Sequence, residues 1–491
     1  MEPTREQFYQ QRIADLEAQV VQRDDRIAAM EQQVASLQAQ LAQVLEQNAN
    51  LIEQNQKLLD HVAKLSKNSS NSSKPPSSDI VKPPKPMPPS GPRKPGGQSG
   101  HHGFHHQPFS EDQLDNIQEY VPARCPQGHD LTGQPVLEPK IQQQVELREK
   151  PVVMTEHRRY AKRCPICDEI VYADLPAGVI EGQLFGPRLL ALLGEMKGTL
   201  HATYGGLADF CRDVLEIEVS RSHLCNAIAR VNAALAKPYE ELQNQIPTEP
   251  VLHIDESGWK DNGAKFWIGT FATGALSFFV IARSRSSQVL RTILGETYRG
   301  TIVSDFFSAY VKYANGLQQF CLAHLIRDIK FLAELPDLAE QVFGKALLSQ
   351  FRRLFHFWHL RETIPKARFD RVMDKIRNRI FALADREDLP KQSLRLAKRI
   401  RKHDGALFRF LFDTRVPPTN NAAEQSIRHS VLNQRLTQGS RSPWGRQWNE
   451  RIFTVIGTCR KQGRSTWQFL QDALSAHYFH TPMPSLIPQA P

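Results

Sequence analysis

The sequence is short of cysteine, of aromatic side chains and of long apolar runs. Seven cysteines in 491 residues, odd in number and unevenly spread, exclude a disulfide-stapled scaffold and fit a reducing compartment. No stretch approaches the roughly 20 uncharged apolar residues of a spanning helix, which makes a membrane surface the less expected partner. Met1-Glu2-Pro3-Thr4-Arg5-Glu6 lacks the charged-then-apolar layout of a secretory leader, so a cytosolic, DNA-accessible location is expected. Acid is the scarcer sign of charge: 52 Asp plus Glu face 62 Lys plus Arg, a formal net charge of +10. That excess, with a pI near 9.2, favours a polyanionic partner. The length predicts about three folded units at roughly 150 residues each.

What is present begins with a heptad pattern. Ile13, Leu16, Val20, Ile27, Met30, Val34, Leu37, Leu41, Val44, Leu51, Leu58, Val62 and Leu65 fall on a and d positions. This predicts a coiled coil over 1–66, and Asn48 and Asn55 at a positions favour a parallel two-stranded register, hence at least a homodimer. An intramolecular hairpin is the alternative, but no Gly or Pro interrupts the run. Residues 67–114 are rich in Pro, Ser, Gly and Lys and read as a disordered linker, with His101, His102, His105 and His106 either solvated or metal-binding.

Over 115–180, Cys125 and His129 form one closely spaced pair and Cys164 and Cys167 another, the sequence form of a tetrahedral structural Zn²⁺ site. The competing reading is a redox Cys-x-x-Cys beside two ordinary surface residues. Residues 181–246 read as helices, with 204–215 and 221–231 forming a helix pair and Ser220 capping the second. As a helix-turn-helix the pair offers Arg221, Ser222, His223 and Asn226 to a DNA major groove; a plain packed pair gives the same pattern.

Over 247–334, three apolar runs separated by Asp261-Asn262-Gly263 and Thr273-Gly274 predict an antiparallel meander. A helix at 287–294 then leads to a strand at 301–304, the strand order of an RNase H-like mixed sheet in which the first and fourth strands are neighbours. Asp255 and Asp305 close two of those strands, and Glu424 stands at a helix start. Three such carboxylates can hold two Mg²⁺ ions, or Mn²⁺, and leave open positions for phosphate. The bland reading of Glu424 is a capping box with Asn421. Glu256 is expected on the opposite strand face, and Asp209 and Asp328 as solvated or paired helix residues. His324, in Cys321-x-x-His324, either orients a phosphate or merely begins a helix.

Residues 335–416 read as a basic helical insertion, with sixteen Lys or Arg against seven Asp or Glu between Phe351 and Gly405. The core resumes over 417–480; from Glu424 to Arg464, Arg428, Arg435, Arg441 and Arg446 stand among eight basic residues opposed after Glu424 only by Glu450, as phosphate contacts require. Residues 481–491 are expected to be a disordered tail.

Taken together, the zipper followed by Lys64-Leu65-Ser66-Lys67-Asn68-Ser69-Ser70, the segments His253-Ile254-Asp255-Glu256-Ser257 and Ser304-Asp305, Cys321-x-x-His324, and Asn420-Asn421-Ala422-Ala423-Glu424-Gln425-Ser426-Ile427-Arg428 resemble the DDE-type insertion-sequence transposases, specifically the sixty-six family. The resemblance spans nearly the whole chain. It implies a metal-dependent transposase that cuts at terminal inverted repeats and joins the freed 3′ ends to target DNA, with Asp255, Asp305 and Glu424 as its triad. Accessory proteins of the same element are conceivable partners. One departure is Gly128 where a second Cys is expected, which leaves His129 as the substitute ligand. The competing functions are a non-catalytic DNA-binding regulator and a nuclease of the same fold that does not join ends. A two-carboxylate glycosidase does not call for this excess of Arg and Lys.

Overall fold

The computed structural model describes residues 5–65, 67, 107–313 and 317–488; the expected linker and its four histidines lie almost entirely outside them. The described residues fall into two compact units, one within Met1–Pro83 and His324–Lys402, the other within Pro84–Ala323 and His403–Pro491. Among them no helix is long and apolar enough to cross a membrane.

The chain opens with α1 (Arg5–Leu65), one unbroken helix of 61 residues. Its heptad stripe stands in solvent: Ile13, Leu16, Val20, Ile27, Met30, Val34, Leu37, Leu41, Val44, Leu51 and Leu58 are each at least 46% exposed.

In the second unit a small hairpin, β1 (Ala161–Arg163) with β2 (Ile170–Tyr172), precedes four helices: α2 (Pro187–Thr199), α3 (Tyr204–Asp213), α4 (Arg221–Ala234) and α5 (Ala236–Gln245). The meander follows as β3 (Val251–Asp261), β4 (Ala264–Ala272) and β5 (Ser277–Ala282). Asn262 and Gly263, at φ 49° and 80°, make the two-residue turn that a right-twisted hairpin prefers. Helix α6 (Ser287–Leu294) then crosses to β6 (Thr301–Ser304), and α7 (Ser308–Tyr313) leads to β7 (Gln318–Phe320). The sheet order is β5-β4-β3-β6-β7, with β6 parallel to β3 and to β7. This mixed α/β sheet has the strand adjacency the sequence predicts.

After β7 the chain enters α8 (Leu322–Ala333) and from His324 belongs to the first unit, with α9 (Leu338–His359), α10 (Lys366–Ala384) and α11 (Lys391–Lys402). Buried Glu340 on α9 accepts the backbone N–H groups of Gln392 and Ser393, both at 2.8 Å, and so caps α11 from outside. Asp328 on α8 pairs with Arg399 on α11, as Asp209 does with Arg212 at 3.0 Å.

The insertion ends earlier than the expected 416. Residues 403–416 rejoin the sheet unit through α12 (Asp404–Leu407), because Gln319 on β7 donates to Leu407 O at 3.0 Å and accepts Phe410 N at 3.0 Å. Helices α13 (Asn421–Thr437), α14 (Pro443–Lys461) and α15 (Thr466–Phe479) complete the unit. Nor does the expected disordered tail hold for 481–488. Leu486 is fully buried and its carbonyl accepts Gln462 Nε2 at 2.8 Å, so its apolar side chain anchors the segment.

Helix α14 solves the edge problem of the sheet. Outward N–H groups on edge strand β5 recur every two residues, about 6.7 Å, and four helical residues rise about 6 Å, so i, i+4, i+8 on a helix can serve them in turn. Thr458 accepts Ser277 N at 3.1 Å, Thr454 accepts Phe279 N at 3.1 Å and Glu450 accepts Ile281 N at 2.6 Å. Replacing Thr454 by Val keeps the shape and strands the Phe279 N–H in a buried site, so stability falls by about 1–3 kcal/mol. A lower denaturation midpoint with unchanged slope reads this; an unchanged midpoint contradicts it.

Candidate active site

The site is built where β3 outruns β6. Parallel pairing of the two strands covers only Val251↔Thr301, Leu252↔Ile302 and His253↔Val303, after which β3 continues as a hairpin with β4 to Asp261. Asp255 therefore lies inside a long strand rather than closing a short one, a correction to the sequence expectation. Carrying the register two residues past His253↔Val303 brings Asp255 level with Asp305, the first residue after β6. The Asp305 carboxylate is steadied by accepting Phe307 N at 2.9 Å, and that of Asp255 accepts Glu256 N at 2.9 Å. Both aspartates are half-buried.

Helix α13 supplies the third carboxylate. Its two ends are tied to the same face of β3. At the start, Asn420 Nδ2 donates to Ile254 O at 2.8 Å and Asn420 Oδ1 meets His253 Nδ1 at 3.1 Å. Past the end, Ser440 N donates to Lys260 O at 2.9 Å, and Ser440 Oγ donates to Asp261 at 2.7 Å and accepts Trp259 Nε1 at 3.1 Å. The lengths agree: the seven strand steps from Ile254 to Asp261 and the 17 residues of α13 each span about 24 Å. Glu424, one turn into the helix, thus falls at the level of Asp255. It is not part of a capping box. The helix starts at Asn421, its cap is Asn420, and that side chain is committed to β3 with no cap hydrogen bond.

Oxygen donors of this charge and half-burial suit Mg²⁺ or Mn²⁺. The ligand atoms of the three do not all lie within 4.8 Å of one another, so they do not form a single-ion cluster. A two-ion site asks for less, since each outer carboxylate serves its own ion across a gap of about 4 Å.

Glu256 lies on the other face of β3, as alternation requires, yet its carboxyl is pushed up to about 8 by burial, then by the charges of Asp305 and Asp255, against the pull of Arg285. His253 is held at about 4 by burial, as is His429 on α13, where His201 and Arg460 add to the effect and the bond to Gly198 O at 3.0 Å opposes it. That bond exists because α2 approaches closely at Gly198, where a Cβ would overlap Ile452. A histidine neutral in the fold titrates near 6.5 when unfolded, so its share of stability is full above about pH 6.5 and is lost as pH falls toward 4. Denaturation midpoints should therefore fall across that window at about 1.4 kcal/mol per pH unit per histidine, and less steeply in His429→Gln. Equal slopes in the two proteins contradict the assignment.

The remaining sequence candidates are placed as follows. Ser220 caps α4 by accepting His223 N at 3.1 Å, and Arg221, Ser222 and Asn226 are exposed while the His223 ring meets Phe185 edge-on at 5.0 Å. Arg428, Arg435 and Arg441 are exposed. Arg446 is instead bound to buried Asp261 and lies over the Phe266 ring at 4.8 Å, so it braces the fold rather than standing in solvent. Cys125 Sγ is 3.2 Å from His129 Nδ1. The N–H groups of Cys167 and Ile166 lower the Cys164 thiol, the turn geometry of a thiolate ligand. Among the described residues these two pairs do not converge into one cluster. His324 lies on α8 in the helical unit.

Sequence reasoning gave no role to Asn420, nor to Glu450, Thr454 and Thr458. The four-residue spacing of the last three was the only available signal.

The molecule is thus an α/β protein whose mixed sheet carries half-buried Asp255 on β3 and Asp305 just past β6, with exposed Arg428 and Arg435 on α13. Residues 182–448 match the Transposase IS66 family, more than half of the chain, and the protein belongs to that family. Residues 3–107 match a family of unknown function, DUF6444. An uncharacterized protein of Sinorhizobium fredii, y4jO, is 33% identical over 163 residues, which are 33% of this chain and 46% of that protein. The chain therefore spans about half the length of this curated relative.

Proposed function

We propose that the protein is a DNA transposase that binds the terminal inverted repeats of its element, cleaves at them and transfers the 3′ ends into target DNA. What supports this reading is the β3–β6 register, which carried past His253↔Val303 brings Asp255 level with Asp305, together with the tie of the α13 start to β3 through Asn420. In this reading the core is RNase H-like, and Asp255, Asp305 and Glu424 hold two Mg²⁺ or Mn²⁺ ions. Bound there, the ions supply an activated water or 3′-hydroxyl and stabilise the leaving oxygen. Asp255, Asp305 and Glu424 are the side chains that would hold them. The backbone N–H groups of Glu256 and Phe307 keep the two aspartates aimed. No covalent bond to the protein is required.

Arg221, Ser222, His223 and Asn226 on α4 address bases, and Arg428, Arg435 and Arg441 address phosphates. Cys125, His129, Cys164 and Cys167 are chemically suited to hold one structural Zn²⁺. The exposed heptad face of α1 pairs with a second copy as a coiled coil.

The test supplies a pre-cut duplex carrying the element's end, a target plasmid and Mg²⁺. Joined product supports the proposal. Cutting without joining identifies a nuclease, binding without either a regulator. Affinity should also drop with salt by about 0.9 log unit per phosphate neutralised for each tenfold rise.

A further inference from the structure

Behind Asp255 and Asp305, on the face of β3 away from α13, lies a closed circuit of contacts. Asp305 holds Phe307 through its N–H at 2.9 Å. The Arg285 guanidinium lies over the Phe307 ring at 4.2 Å and over the Trp267 ring on β4, also at 4.2 Å. Arg285 Nη1 stands 3.7 Å from Glu256 Oε1, and Glu256 Oε2 accepts the hydroxyl of Tyr310. Tyr310, itself 4% exposed, sits on α7 one turn after Phe307, and their rings meet edge-on at 5.9 Å. Glu256 lies on the strand that bears Asp255, Phe307 on the loop that bears Asp305, and Arg285 and Tyr310 each contact both.

The geometry points to Glu256 as a positioning residue: through Tyr310 and Arg285 it fixes the 305–307 loop against β3 and so sets the spacing of Asp255 and Asp305 for their divalent ions. A buried carboxyl between two aspartates is a costly neighbour for apolar packing to keep, and nothing in the sheet requires an acid there. The circuit gives it a use. The loop after β6 is held on one side by the Phe306 ring, stacked on Phe320 at 4.4 Å, and by the Asx turn of Asp305; the circuit through Glu256 holds Phe307, and an outer contact that orients a metal ligand commonly changes metal affinity by about 10–100-fold.

This inference rests on the reading of Asp255 and Asp305 as metal ligands, so the test separates the two. Mn²⁺ affinity of the full chain is measured by electron paramagnetic resonance, with thermal melting as a check that each variant is folded. Wild type binds Mn²⁺, and Asp305→Asn loses that binding. Tyr310→Phe, which keeps the ring against Phe307, weakens Mn²⁺ binding about tenfold while melting near wild type, and Glu256→Ala weakens it at least as much. Glu256→Gln retains an acceptor for Tyr310 and recovers most of the affinity. If Tyr310→Phe and Glu256→Ala fold and bind Mn²⁺ as wild type does, the positioning role is overturned and the metal site stands. If Asp305→Asn binds like wild type, or wild type binds no Mn²⁺, the metal-site reading falls and the positioning role with it.

Discussion

Replacing Asp255 by Asn should reduce DNA cleavage and end joining by about a thousandfold or more while leaving DNA binding and the fold intact. The amide keeps the acceptor oxygen that takes Glu256 N at 2.9 Å, and the pairing of β3 with β4 does not involve the side chain, so the strand has no reason to move. In the proposed site, what would disappear is a negative charge that holds the cations. Several kcal/mol of transition-state stabilisation from the ions is then forfeited, and each 1.36 kcal/mol is a factor of ten in rate. A joining assay beside a gel-shift assay reads both quantities. Asp305→Asn and Glu424→Gln should behave alike. Joining retained in Asp255→Asn, with normal binding, would remove this residue from the chemistry.

The second large effect concerns assembly. Leu37→Lys with Leu41→Lys places two cations per helix on adjacent d and a positions of α1, where wild type presents leucines 56% and 59% exposed in the single chain. Each leucine buried in a paired coil contributes about 1.5–3 kcal/mol, so four lost from a dimer weaken association by about 6–12 kcal/mol. That is at least four orders of magnitude in dissociation constant. Analytical ultracentrifugation should give wild type at no less than twice 55.8 kDa and the double variant at 55.8 kDa. A wild type that stays monomeric at high concentration would contradict pairing through α1.

Much of the catalytic unit was legible because its signals are local. Asp261-Asn262-Gly263 and Thr273-Gly274 mark turns whatever surrounds them, and a helix between two strands leaves few places for β6 other than beside β3. Alternation alone put Glu256 opposite Asp255. The losses came from partners far away in the chain. Arg446 looked like a phosphate contact because Asp261 is distant in sequence, and Gln319 gave no hint that it would recapture Leu407 and Phe410. Asp255 was misplaced to a strand end because the apolar run stops at Ile254, whereas β4 pairs with β3 as far as Asp261. The capping-box reading of Glu424 failed for a similar reason: Asn420 spends its side chain on His253 and Ile254, a tertiary bond that propensity does not anticipate.

The most direct test of the account is anomalous scattering from crystals grown with Mn²⁺. Two peaks roughly 4 Å apart, with Asp255 contacting both and Asp305 and Glu424 one each, are the predicted result. Mn²⁺ bound elsewhere while these three carboxylates remain without it would contradict the central claim.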